Sequence, residues 1–244
     1  MKLTKEQIKF IDDYLKHHNI KYWDVRIELL DHIVTNVEAL LDEGKDFEKA
    51  LEEVHLSFGN SLKSFWNSGI EYGIMENGIG YEKLMDSKRK ETNKNYKKQL
   101  FKELNLFFTN PVKVLFALVL LLISNKVIFF TDIKLIKYLL VSLIIIPALI
   151  PYYYPIKLWF QKKREKALNL EYALFYAGFT LAFLNLFIQL FSPKGMFHLL
   201  NEIQFNWVLV ICIPLFAIIN YCGFKMYKRT FDHYNNLYEK LQQL

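Results

Sequence analysis

The sequence has few of the residues that form cross-links and reactive sites. Its 244 residues include two cysteines and six histidines. Cys212 and Cys222 lie in the same apolar run, and ten helical residues would separate them by about 15 Å, beyond disulfide reach. The chain also lacks G-x-S-x-G, H-E-x-x-H and Walker motifs and any paired-carboxylate constellation. These absences predict a protein that is not an enzyme and that has no catalytic, cofactor-binding or metal-binding residues.

The charge of the chain is divided unevenly along its length. Residues 1–86 carry 10 Lys/Arg and 17 Asp/Glu, whereas residues 101–244 carry 15 and 7. A phosphate-binding module needs a basic face, so the acidic first part predicts no nucleic-acid partner. The first ten residues are charged and have no apolar core, so we expect no secretory signal peptide.

The first 66 residues predict a small bundle of capped helices. Thr4 and Gln7 form a capping box that opens a helix over residues 5–17, and His17 and His18 are interpreted as its solvated end. A second helix is expected from about Tyr22 to residue 43. Asp46 is expected to cap a third helix, which Gly59 and Asn60 stop. The terminating glycine of the second helix is Gly44, and a short fourth helix is expected from Ser61.

One run in this region resembles a known module. The run is Arg26-Ile27-Glu28-Leu29-Leu30-Asp31-His32-Ile33, and Glu38, Gly44, Phe47-Glu48-Lys49-Ala50 and Phe58-Gly59-Asn60 follow it. Together these residues are similar to the HAAS signalling domain, over about residues 5–66. That domain lies at the cytoplasmic N-terminus of bacterial multi-pass membrane proteins, several of them encoded beside PadR-type transcription regulators. The resemblance implies a cytoplasmic interaction or sensing module and implies no chemistry.

Four polar residues of this motif are candidates for partner binding or for organising the domain. Glu28 and His32 are four residues apart and share a helix face, but two ligands do not complete a metal site. We favour a structural role, in which Glu28 or Asp31 caps or pairs with a neighbouring helix or fixes the tautomer of His32. Partner recognition and binding of a divalent metal are the alternatives. The full candidate set is Arg26, Glu28, Asp31 and His32.

The segment 67–110 is predicted to be a linker that changes character along its length. Residues 67–80 contain too many glycines to favour a helix and too many apolar residues for a solvated spacer. A basic stretch follows and predicts contact with anionic lipid headgroups. Its cations are Lys88, Arg89, Lys90, Lys94, Lys97, Lys98 and Lys102, and apolar residues from Phe101 to Phe108 give it an interfacial side.

Four apolar windows in residues 111–224 are long enough to cross a bilayer, which needs about 20 residues each. They cover residues 111–130, 136–160, 172–191 and 205–224. Lysine and arginine gather before the first window, between the second and third, and after the fourth. The positive-inside rule therefore predicts that both termini are cytoplasmic in a multi-pass protein of the bacterial inner membrane. Residues 225–244 predict an amphipathic cytoplasmic tail helix.

Polar and helix-breaking residues within the windows indicate where helices bend or bond. The second window contains Pro147, Pro151 and Pro155, so its helix is expected to bend or unwind there. In the third window, Asn185 and Gln189 are expected to hydrogen-bond between helices; a pore-lining role is the alternative. In the fourth window, Asn220 is expected to bond in the same way.

The sequence thus predicts an all-α protein in which a small cytoplasmic helical bundle joins a four-helix transmembrane domain. The function that fits best is a non-enzymatic membrane signalling or adaptor protein. Its expected partners are a protein at the cytoplasmic domain, such as a transcription regulator or other membrane subunits, and anionic lipid. The alternative is a subunit of a transporter or channel built on the proline-broken second window.

Overall fold

A computed structural model describes residues 2–60, 79–130, 142, 145–160, 165–183 and 202–242. The described residues are helical or irregular and include no strand. The chain folds into two compact units. The first unit comprises residues 1–93 with 165–169, and the second comprises residues 94–164 with 170–244.

Three helices open the first unit: α1 (Lys5–His17), α2 (Trp23–Asp42) and α3 (Phe47–Ser57). The bounds of α1 are confirmed, and so is its capping box: Thr4 Oγ1 accepts from Gln7 N at 3.2 Å. Asp46 caps α3 through Lys49 N at 2.8 Å, also as predicted. Gly44 and Gly59 have φ of 89° and 78°, the left-handed conformation that ends a helix at low cost with glycine.

The core of the first unit is built from one stripe of each of these helices. Ile11 and Leu15 of α1, Ile33 and Val37 of α2 and Leu51 of α3 are buried almost completely. These positions follow the helical period, so those of each helix lie on one face of it. The short fourth helix expected from Ser61 lies outside the described residues.

A single helix, α4 (Ile79–Phe108), covers the end of the predicted linker and all of the basic stretch. The expectation that residues 79 and 80 are non-helical is therefore wrong. Asn60 explains the difference, because its Oδ1 accepts from Gly80 N at 2.9 Å and from Tyr81 N at 3.2 Å. This amide stabilises the first turn of α4 from a distant point in the chain. Residues 67–78 lie outside the described residues.

In the second unit, two helices are long and apolar enough to cross a membrane. One is α5 (Pro111–Phe130), and the other lies in the part Asn206–Leu241 of α8 (Glu202–Gln242); an 18-residue window of each has a mean hydropathy of 2.2. Only 11% of the apolar window of α5 is buried, unlike the core helix of a soluble protein. This supports association with a membrane. It does not establish the predicted four spans.

The described parts of the second and third windows are less regular than predicted. Residues 145–149 are helical, Ile150–Tyr152 form a 3-10 turn, and α6 runs over Tyr153–Phe160. α7 begins at Leu168 and ends at Ala177, before a 3-10 segment at Phe179–Phe183. The sequence predicts one continuous helix over residues 172–191, but the α-helix that enters this window ends at Ala177.

The tail helix expected from residue 225 is not separate from the fourth window, because α8 runs continuously through both. α8 has 41 residues and is about 60 Å long, roughly twice the thickness of a hydrocarbon core. Pro214 lies inside it. Beyond the apolar part, Tyr227 and Phe231 pack against Tyr154 of α6, with ring centroids 6.0 and 4.9 Å away. Packing on α6 thus gives the second half of α8 an apolar partner.

Candidate functional site

The motif residue Arg26 is the centre of a charged cluster in the first unit. It is only 6% exposed, although it lies at the start of α2. Its Nε donates to Asp12 Oδ1 at 2.7 Å, and its Nη2 donates to Glu165. Burial would lower the pKa of Arg26, but the hydrogen bonds to Glu165 and Asp12 outweigh it and raise that pKa. Arg26 is therefore a buried, paired cation rather than an exposed recognition group.

Asp24, two residues before Arg26, binds backbone amides of the same distant segment as Glu165. Its Oδ1 accepts from Leu168 N at 2.9 Å, and its Oδ2 accepts from Asn169 N at 3.0 Å. Asn169 Nδ2 also donates to Oδ2 at 3.0 Å. The carboxylate thus occupies the N-terminus of α7, where it satisfies free amides and complements the helix dipole.

The backbone of the segment is held as well, since Trp23 N donates to Lys166 O at 2.9 Å. Residues 165–169 belong to the connection between the second and third predicted spans, yet they fold as part of the first unit. We call this group, namely Asp12, Asp24 and Arg26 with residues 165–169, the loop-binding site. Sequence reasoning identified Arg26 but missed Asp12, Asp24 and Glu165. Asp12 lies on a different helix from Arg26, and the partners of Asp24 and Arg26 at residues 165–169 are about 140 residues away, so no local pattern relates them.

The other three motif residues lie on the exposed side of α2. Glu28 forms an ion pair with Lys88 of α4 at 2.5 Å, so it does pair with a neighbouring helix. His32 Nδ1 accepts from Asn36 Nδ2 at 2.8 Å, and its ring lies 5.7 Å from that of Phe58. Asp31 is exposed. Among the described residues, no group of three His, Cys, Asp or Glu side chains is placed to hold a metal ion.

A buried aromatic and histidine cluster was not predicted. Tyr14 OH bonds to His55 Nδ1 and lies 3.0 Å from Tyr81 OH. Burial raises the pKa of Tyr14, and it raises the pKa of Tyr81 to about 12. His18 packs edge-on or tilted against the rings of Tyr14 and Tyr81 in the same cluster and is only 9% exposed. The interpretation of His18 as a solvated helix end is therefore wrong. Its position four residues after Tyr14, on the same helix face, was the available signal.

The lysines and the arginine predicted to meet lipid headgroups all lie on α4. Lys88 pairs with Glu28, and Arg89 lies 3.5 Å from Asp86. The remaining five are exposed and form no ion pair with a carboxylate in the described parts of the chain. These are Lys90, Lys94, Lys97, Lys98 and Lys102.

The opposite side of α4 carries an acidic residue that sequence reasoning missed. Glu103 is 4% exposed, and its carboxylate accepts from Lys225 Nζ at 3.0 Å and from Arg229 Nη2 at 2.7 Å. Burial would raise the pKa of Glu103, but these two hydrogen bonds outweigh it and lower that pKa. The signal was its position on a stripe at helical spacing with Tyr96, Leu100 and Phe107.

The predicted kink and amide residues are partly described. Pro151 lies in the 3-10 turn Ile150–Tyr152, where the winding changes; Pro147 and Pro155 lie in the α-helical segments on either side of this turn. Asn185 and Gln189 lie outside the described residues. Asn220 is 2% exposed and accepts from Thr180 Oγ1, which confirms the expected bond between helical segments.

Comparison with models of known families, with curated proteins and with solved structures finds no match.

Proposed function

We propose that this protein is a non-enzymatic integral membrane signalling or adaptor protein of the bacterial inner membrane. In this proposal four helices cross the bilayer, both termini are cytoplasmic, and the HAAS-like first unit binds a protein partner. The partner is a transcription regulator or another membrane subunit. The basic face of α4 meets anionic lipid headgroups.

The observation that carries the proposal is the loop-binding site. One side of α2 holds residues 165–169 through Asp24 and Arg26, while Asp31 and His32 lie on its exposed side. A partner that binds the exposed side acts on the same helix that holds the connection between two predicted spans. This gives a physical route from partner binding to the membrane helices, since α7 continues from that connection.

The proposal is tested on the full-length protein in its own membranes with a photo-crosslinking residue at Asp31. The expected result is a discrete protein adduct that disappears when Glu28 and His32 are both replaced by alanine. The matched control places the same crosslinker at Lys9, which is exposed on α1. Absence of an adduct at Asp31, or an identical adduct from Lys9, contradicts a partner surface on α2.

Membrane integration is tested separately by alkaline carbonate extraction of the same membranes. A protein with membrane-spanning helices stays in the pellet, because its apolar helices cannot be solvated by water. Release into the supernatant contradicts integral membrane placement.

A second function is favoured by the 3-10 turn that contains Pro151. Helices that lose α-helical winding within a membrane can expose backbone groups that bind a solute, so a transporter or channel subunit is the alternative. Replacing Pro147, Pro151 and Pro155 together by alanine would then abolish the flux through reconstituted protein. Unchanged solute flux in this variant excludes a role of the 3-10 turn in transport.

A further inference from the structure

A cavity of about 320 Å³ opens in the second unit between the end of α4, α5 and α8. Its volume is at the lower end of the range for small-molecule sites. Nearly all of the surface that lines it is apolar, and one charged residue contributes to it. Its lining includes Phe107, Lys113, Phe116, Leu120, Ala217 and Tyr221.

The charged residue lies at one end of this cavity. Lys113 Nζ is 6.0 Å from the ring centroid of Phe107 and 5.9 Å from that of Tyr221, within the range of a cation–π interaction. From there Phe116 and Leu120 follow on the same face of α5 and extend the cavity by about 10 Å along the helix. The cavity is therefore amphipathic: it is cationic at one end and apolar along its length.

A second, more polar cavity of about 400 Å³ adjoins the cationic end and shares Tyr221 with the first. Lys225 and Arg229 line it, but Glu103 neutralises part of their charge. Lys228 is exposed there and has no ion pair within the described residues, and Asp232 is the acidic residue on the rim. Among the described residues, Lys113 and Lys228 are thus the cations lining the two cavities that form no ion pair.

We propose that these two cavities together bind one anionic phospholipid. An acyl chain lies along Phe116, Leu120 and Ala217, and the phosphate group accepts hydrogen bonds from Lys113 and Lys228. An apolar helix covering the same groove would leave the ammonium of Lys113 without an anion, whereas a phospholipid satisfies both ends. The proposal rests on the placement of α5 and α8 in a membrane, and Lys113 follows Pro111 at the end of α5 predicted to be cytoplasmic.

The test uses the full-length protein in phosphatidylcholine nanodiscs, with and without phosphatidylglycerol. Phosphatidylglycerol is expected to raise the Tm of the wild type and to remain bound in native mass spectra. Lys113→Gln is expected to weaken the apparent affinity about five- to tenfold, because one charged hydrogen bond to phosphate is lost. Lys126→Gln, at the other end of α5, is the matched control and is expected to keep the wild-type rise of Tm with phosphatidylglycerol.

A second pair of variants tests the acyl-chain part of the site. Ala217→Phe fills the apolar groove and is expected to reduce the phosphatidylglycerol effect while the headgroup cations remain. Leu122→Phe adds a similar ring on the exposed side of α5, away from the cavity, and is expected to leave the phosphatidylglycerol effect on Tm unchanged.

Three outcomes overturn the proposal. An equal rise of Tm in the wild type, Lys113→Gln and Ala217→Phe shows a general effect of bilayer charge. An equal effect from inorganic phosphate shows an anion site without lipid selectivity. Retention in the carbonate pellet with no response to phosphatidylglycerol rejects the lipid site alone, whereas release from the pellet rejects membrane placement and the lipid site together.

Discussion

Glu103 shows how a single buried carboxylate is kept charged. It is 4% exposed, while its partners Lys225 and Arg229 are 47% and 62% exposed. Removing one partner of a fully buried ion pair costs about 3–5 kcal/mol, and the exposure of both cations reduces this. The carboxylate nevertheless ties α4 to α8, because both of its oxygens accept from cations of α8.

We predict that Glu103→Gln lowers the free energy of unfolding by about 1–2 kcal/mol at neutral pH. A carboxyl group whose pKa is lowered in the folded state stabilises the fold above its unfolded pKa, and this contribution is lost as pH falls through the folded pKa. The wild type should therefore lose stability as pH falls below the usual value of 4.5, and the variant should lose less. Tm measured against pH checks this. Glu91→Gln, exposed on the same helix, should keep the wild-type profile.

Arg26 is the buried cation of the loop-binding site. Its guanidinium bonds Asp12 and Glu165 from different nitrogens, which a lysine ammonium cannot reproduce in the same geometry. We expect Arg26→Gln to cost about 3 kcal/mol, because two carboxylates lose their buried cation, and Arg26→Lys to restore only part of the loss. The comparison is made by chemical denaturation. Lys16→Gln, whose side chain is 43% exposed beside Asp12, should cost less than about 1 kcal/mol.

At the scale of elements, two helices have N-terminal amides that are capped by side chains from distant parts of the sequence. Asn60, after α3, holds the first amides of α4, and Asp24, on α2, holds those of α7. A capping residue normally precedes its helix in the sequence by one position, which is how Thr4 and Asp46 were found. No local pattern identifies a cap that is 20 or about 145 residues away.

We predict that Asp24→Ala frays the start of α7. Leu168 N and Asn169 N lose their acceptor, and removal of a helix cap costs about 1–2 kcal/mol. Hydrogen exchange at these two amides should become faster in the variant, while the amides of α3 keep their protection. Asp13→Ala, which removes a carboxylate that is 57% exposed, should leave the exchange at residues 168 and 169 unchanged. Equal fraying in both variants would contradict the capping role.

Gly80 explains why a glycine-rich stretch can begin a helix. A Cβ at this position would lie 2.1 Å from Phe58 O and 2.9 Å from Asn60 Oδ1, so the close approach of α4 to the end of α3 requires glycine. Composition alone suggested a non-helical linker, because glycine lowers helix propensity. Tertiary contact outweighed that propensity.

At the scale of the whole molecule, the distribution of Lys and Arg predicts the orientation of the chain in a membrane. In a variant with Cys212 and Cys222 replaced by alanine, single cysteines at Lys9 and Asn235 should react with an impermeant thiol reagent only after the cells are permeabilised. Single cysteines at residues 134 and 194 should react in intact cells, because the less basic connections are translocated. Labelling of Lys9 and Asn235 from opposite sides would contradict an even number of spans.

The sequence by itself determined the features that depend on local periodicity and charge. The bounds of α1, the caps at Thr4 and Asp46, the terminating Gly44 and the apolar helix α5 all follow from residues within a few positions of one another. The same holds for the change of winding at Pro151, since proline acts on its own helix turn.

Tertiary structure alone decided which distant residues meet. It placed Glu165 on Arg26, Leu168 and Asn169 on Asp24, and Tyr81 on Tyr14. It also buried His18 and Glu103 and joined the fourth apolar window to the tail in one helix. The physical reason is that hydrogen bonds and ion pairs between separate elements depend on how those elements pack, and helical period or composition carries no record of that packing.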